Sequence, residues 1–150
     1  MRLIPWMTPF TDVKWLICES LQSDCEFALE LRPVEHQVID AEAPQTLPED
    51  PVDRLIAQSN PIVETSDSRK WLVNFEHVVA FRSESESYSF KPHWPEPEVR
   101  CTSYVLDESP WIEEIDAQLL EDLVPGCRHY VILTSHVIIE VISPHEPFVS

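Results

Sequence analysis

A single α+β domain is predicted from this sequence: an antiparallel β-sheet carrying one main helix in the C-terminal half and a short helix in a long loop. Three observations lead there. Several runs alternate apolar and polar residues with the period of a half-buried strand. The segment "SPWIEEIDAQLLEDLVPG" repeats its apolar residues near every 3.6 positions. A chain of 150 residues suits one core, because a domain of that size buries roughly 70% of the surface its unfolded form exposes. With 43% hydrophobic residues and five tryptophans, the composition is globular despite fourteen prolines.

At the N-terminus, "MRLIPWMTPF" holds a short apolar run interrupted by Pro5 and Pro9, unlike a secretory signal. No stretch approaches the roughly 20 apolar residues of a membrane span. A cytoplasmic protein is expected, with Cys18, Cys25, Cys101 and Cys127 as reduced thiols. "DVKWLICESL" fits two periods. Val13, Trp15 and Ile17 alternate as a strand, while Val13, Leu16, Ile17 and Leu21 would line a helix; the strand is preferred. In "SDCEFALELRP", Cys25, Phe27, Leu29 and Leu31 occupy one face of a strand that Pro33 weakens.

From Asp40 to Lys70 the chain is rich in Pro, Ser, Thr and acid and reads as a surface connection. It holds one short helix, with Asp50 as cap, Pro51 at the first position, a small apolar face in "VDRLIAQ", and Asn60-Pro61 as the stop. Trp71, Val73 and Phe75 then share a strand face, with Val79 and Phe81 following. Unbroken alternation through Tyr88 would exceed the usual maximum of about 10 residues, so a bulge or turn is expected near residues 76–78. In "AFRSESESYSF", Ala80 and Phe81 are expected to enter the core, and Arg82, Glu84, Glu86 and Tyr88 to form a charged ladder along one face.

"KPHWPEPE" is an extended proline-rich loop and "RCTSYVL" a further strand. The main helix follows. Ser109 caps it, Pro110 starts it, Glu113 and Glu114 suit its N-terminal dipole and Gly126 ends it. Its buried stripe is expected to comprise Trp111, Ile112, Ile115, Leu119, Leu123 and Val124. "HYVILTSHVIIEVIS" reads as two central, doubly buried strands joined as a hairpin around residues 134–136.

Chemistry is constrained chiefly by glycine. Gly126 is the only one, which excludes phosphate loops, dinucleotide fingerprints and the glycine-flanked serine elbow. Cys127, His129 and His136, joined by Cys18, Cys25 or Cys101, are the candidate metal ligands, but no CxxC or HExxH pair accompanies them, so no metal or cofactor is expected. Acid–base pairs from Glu76 with His77, or Glu84 with Glu86, are weaker than the reading of a solvated surface. Cys–His catalysis lacks a locatable base and orienting group.

Charge points elsewhere. A formal net charge of −17, from 27 acidic against 10 basic residues, repels nucleic acid and anionic membranes and favours encounter with a basic protein. The run Asp107, Glu108, Glu113, Glu114, Asp116, Glu121 and Asp122 contains no intervening Lys or Arg. It reads either as a solvated helix face or as a docking surface. Tyr88, Trp94 and Trp111 are candidate aromatic anchors, with Trp111 better suited to the core and Trp94 able to fold back or project.

"WLVNFEHVVAFRSESESY", followed later by "HYVILTSHVIIEVIS", resembles a group of small acidic bacterial proteins, some of which are similar to immunity proteins of toxin systems. The resemblance covers roughly the second half of the chain and rests on strand patterns. It implies that Arg82, Glu86 and Tyr88 belong to a family motif. Combined with the charge, it gives the expectation of a non-enzymatic, stoichiometric binding protein that occludes a cationic toxin. The expected partner-binding residues are Arg82, Glu84, Glu86, Tyr88, Trp94, Asp107, Glu108, Glu113, Glu114 and Asp116. The alternatives are a small Cys/His metal-dependent hydrolase and a homo-oligomeric scaffold joined through a sheet edge.

Overall fold

The computed structural model describes residues 1–24, 27–40, 44, 46–85, 94–115 and 121–150. Its strands are β1 (Arg2–Pro5), β2 (Leu16–Ser23), β3 (Leu29–Glu35), β4 (Gln37–Val38), β5 (Ile62–Val63), β6 (Val73–Phe75), β7 (Ala80–Ser85), β8 (Ser103–Asp107), β9 (Arg128–Leu133), β10 (Val137–Ser143) and β11 (Phe148–Val149). One antiparallel sheet runs β1-β8-β9-β10-β7 and a second runs β11-β6-β3-β2, with β4 and β5 forming a separate ribbon. Two short helices, α1 (Pro51–Ala57) and α2 (Pro110–Glu114), complete an α+β fold that is mostly antiparallel sheet.

Strand alternation divides the larger sheet into two faces. Tyr130 and Ile132 of β9 and Ile139 and Val141 of β10 join Leu29, Leu31, Val73 and Phe75 of the second sheet in one apolar layer. Tyr130 packs edge-on against Trp6 and Phe75, at ring separations of 5.2 and 5.4 Å. On the opposite face, Tyr104, Leu106 and Val131 form a smaller cluster, with Trp94, Leu133 and Ile138 against it. That outer face carries the polar residues discussed below.

The expected hairpin is β9–β10, centred in the larger sheet. In place of a glycine turn, Thr134 closes it: its hydroxyl donates to the Val137 carbonyl at 2.8 Å and accepts from the Val137 amide at 3.1 Å. The break expected at residues 76–78 is a larger event. It takes the chain from β6 in one sheet to β7 in the other, with Val78 buried at the crossing. Residues 12–21 resolve as strand from Leu16 onward, with Leu16 rather than Ile17 fully buried.

Pro33 loosens its strand without ending it: β3 continues to Glu35, with a register irregularity between Cys18 and Ser20 opposite the proline. Other expectations change. Phe27 is not core; it has φ +66° and is exposed. Phe81 is also exposed, because it lies on the edge strand β7 level with Val141. Helix α1 is capped as expected, with Asp50 accepting from the amides of Val52 and Asp53, yet it buries no side chain. The main-helix segment is described only as α2 and a helical turn at residues 121–123. Ser109 caps α2, but Trp111, Ile112 and Ile115 are only half-buried and Leu123 is exposed. Leu119 lies outside the described residues.

Candidate functional site

Cross-strand register builds the site on the outer face of the larger sheet. Arg82 of β7 is the direct partner of Glu140 of β10, and His129 of β9 is the diagonal neighbour, since Glu140 pairs with Val131 and Ile142 with His129. Glu140 is completely buried. A charge so placed needs a partner, and Arg82 supplies it through two hydrogen bonds, Nε to Oε2 at 2.7 Å and Nη2 to Oε1 at 2.8 Å. These hydrogen bonds raise the Arg82 guanidinium above its ordinary value against the opposing effect of burial. The guanidinium also lies 4.2 Å from the centroid of Trp111, a cation–π contact that ties α2 to the sheet.

His129 continues the chain of contacts. Its Nδ1 is 2.7 Å from the Ser109 hydroxyl and its Nε2 is 3.2 Å from Glu140 Oε1. The second approach is too poorly aligned for a hydrogen bond, so only the polar edge of the ring meets the carboxylate there. Electrostatics nevertheless fix the tautomer. A nitrogen lone pair facing a carboxylate would be repelled, so Nε2 carries the proton and Nδ1 accepts from Ser109. Ser109 also accepts from the Ile112 amide at 3.3 Å as the helix cap. Arg82, Trp94, Trp111, Glu114, His129 and Glu140 line a pocket of about 230 Å³.

A larger open groove of about 640 Å³ lies on the other side of Ser109, between β1 and the β8–α2 junction. Its apolar lining includes Ile4, Met7 and Ile112; Met7 is 80% exposed. Asp107, Glu108 and Glu113 supply the acid and Arg128 the one basic side chain of the lining. Asp107 pairs with Arg2 at 2.6 Å, which holds its carboxyl below the usual range, and Glu108 meets the Met1 amino group at 2.8 Å. Glu108 has φ +55°, a left-handed conformation unusual for a non-glycine residue, and it turns the chain from β8 toward Ser109.

The expected binding residues therefore divide. Asp107, Glu108 and Glu113 gather at the groove, whereas Arg82, Trp94 and Glu114 line the smaller pocket. Trp94 folds back against the outer-face cluster. Glu84 is 4.0 Å from Arg82, on the same side of β7. The ladder reading of this strand is corrected for Arg82, whose side chain is engaged with buried Glu140. Glu86, Tyr88 and Asp116 lie outside the described residues.

Sequence reasoning missed this grouping: Ser109 was treated only as a cap, His129 only as a candidate metal ligand, and Glu140 was not singled out. One signal was available for Glu140. It is the single charge within "HVIIEVIS", and a carboxylate in an otherwise buried strand requires a cation across the sheet.

Cys127 lines the groove, and burial raises its thiol above the ordinary value. Among the described residues, no group of three or more His, Cys, Asp or Glu side chains is arranged to hold a metal, and no helix is long and apolar enough to cross a membrane. Glu76 and His77 stand exposed at the crossing between the sheets. No protein-family model, curated protein or solved structure matches the chain.

Proposed function

We propose that the protein acts by stoichiometric binding of a basic protein, in the manner of an immunity protein that occludes a cationic toxin. The observation that carries this reading is the groove itself, in which exposed Ile4 and Met7 lie beside Asp107, Glu108 and Glu113. Apolar side chains there offer area to desolvate, while the surrounding acid and the −17 net charge steer a cationic partner and reject an anionic one. Glu113 suits direct contact with a partner Lys or Arg: it is exposed, and among the described residues it has no ion-pair partner. Asp107 and Glu108 must exchange partners or share them.

A photo-crosslinker placed at Met7 in the native cell tests the proposal. It should capture one basic protein in equimolar amount, and the purified pair should associate more slowly as salt rises. Asp107→Lys with Glu113→Lys should slow association about tenfold, at the low end of the roughly 10- to 1,000-fold range of electrostatic steering. Capture of acidic proteins only, or an association rate indifferent to both salt and charge reversal, overturns it.

A further inference from the structure

We propose that Ser109 is an acyl-transfer nucleophile, with His129 as its general base, acting on carboxylic esters that enter the groove. The inference goes beyond the binding reading and does not depend on it. It starts from three residues that the sequence keeps apart and the fold brings together: Ser109 Oγ is hydrogen-bonded to His129 Nδ1 at 2.7 Å, and His129 Nε2 lies 3.2 Å from Glu140 Oε1 without a hydrogen bond between them. A neutral imidazole that accepts from a serine hydroxyl on one nitrogen and faces a carboxylate with the other can take a proton as it becomes an imidazolium. Glu140 would then face that cation. Its bidentate partner Arg82 holds and orients it, so Glu140 and Arg82 are positioning residues.

Access and local geometry agree with this assignment. Ser109 is only 4% exposed, but it is part of the groove lining, whereas His129 and Glu140 lie behind it against the smaller pocket. The serine follows a left-handed Glu108, φ +55°, at a sharp strand-to-helix junction. A strained turn can thus present the hydroxyl without the flanking glycines that the sequence lacks.

The chemistry balances with water as the only co-reactant. Ser109 Oγ bonds to the ester carbonyl carbon, its proton passes to His129 Nδ1, and the carbonyl π pair moves onto oxygen. Arg128, the basic member of the lining, is the cation available to that oxyanion. Collapse breaks the carbon–alkoxy bond, and the alcohol leaves with the proton from Nδ1. Water then attacks the acyl-serine, giving one proton to Nδ1 and releasing the carboxylic acid as that proton returns to Ser109 Oγ. The acidic rim disfavours anionic esters, and Ile4, Met7 and Ile112 favour an apolar acyl chain.

The test uses the full chain with a fluorophosphonate probe and with p-nitrophenyl butyrate. One phosphonyl group should appear on the peptide containing Ser109, and p-nitrophenol should be released with a burst of one equivalent per chain. Ser109→Ala should abolish both. His129→Ala should lower kcat roughly 100- to 10,000-fold, and Glu140→Gln should lower kcat while leaving KM unchanged, a split that loss of packing alone does not produce. An unmodified Ser109 in wild-type protein with native near-UV circular dichroism overturns the proposal, and this readout needs no variant. So does full ester turnover by Ser109→Ala. Ester turnover requires no basic partner, so this proposal and the binding reading can fail separately.

Discussion

Replacing Arg82 with methionine isolates the contact on which the outer face depends. Methionine keeps much of the aliphatic stem but removes both hydrogen bonds to Glu140 and the guanidinium's contact with the Trp111 ring. The carboxylate is then left fully buried without its bidentate cation. Breaking a buried pair in this way costs about 3–5 kcal/mol. Glu140 can limit the loss by staying protonated, because burial without a cation favours the neutral carboxyl and pushes it up. The sign then follows. A carboxyl raised in the folded variant above its unfolded value of about 4.3 leaves stability intact below that value. Stability is lost as pH climbs through the raised folded value.

Urea unfolding followed by tryptophan fluorescence should therefore show a small defect at pH 4.5 and the full defect at pH 8. In thermal scans at pH 8 the full defect corresponds to a fall in Tm of roughly 6–20 °C. Arg82→Met combined with Glu140→Leu should recover most of the loss, because an apolar replacement of both partners leaves no orphaned charge. A loss under about 1 kcal/mol at pH 8, or equal losses at the two pH values, would show that water reaches the pair and that its burial does not govern stability.

Two further outcomes follow from elements that carry little of the core. Asp50→Ala removes a cap worth about 0.5–2 kcal/mol to its helix, but α1 buries no side chain; far-UV circular dichroism should fall slightly while the global urea midpoint stays in place. Arg69 hydrogen-bonds Glu35 and holds its carboxyl below the usual range. A depressed carboxyl contributes stability above its unfolded value of about 4.3 and loses it as pH falls through the folded value. Arg69→Gln should therefore lower Tm at neutral pH and flatten the acid side of a Tm-against-pH curve taken from pH 3 to 7.

The strands were legible where alternation met burial. "HYVILTSHVIIEVIS" is a central hairpin, marked by near-continuous apolar and β-branched runs, and Val73 and Phe75 share a buried face, marked by the period-2 patterning that one-sided burial writes into a sequence. The two-sheet arrangement was not legible. Nothing local in "NFEHVVAF" distinguishes a bulge within a strand from a passage between sheets. Leu123 and the apolar face of α1 show the opposite failure: helical periodicity marks which side is apolar, not whether anything covers it.

For the site, the acidic groove residues were accessible through charge alone. The Ser109–His129–Glu140 grouping was not. Residues 20 and 11 apart in sequence meet only through strand register and the turn before α2.

Strand β1 sits at the margin of its sheet and is held through four residue pairs to β8 alone. It also carries Ile4 and Pro5 of the groove lining. The wall of the groove is therefore secured more weakly than its floor, since a marginal strand opens at lower free energy than a central one. Any molecule seated there touches the edge strand β1 as well as the sheet behind it, and its occupancy would favour the paired state of β1 by mass action. Recognition at this groove and the closing of β1 onto β8 are one coupled equilibrium.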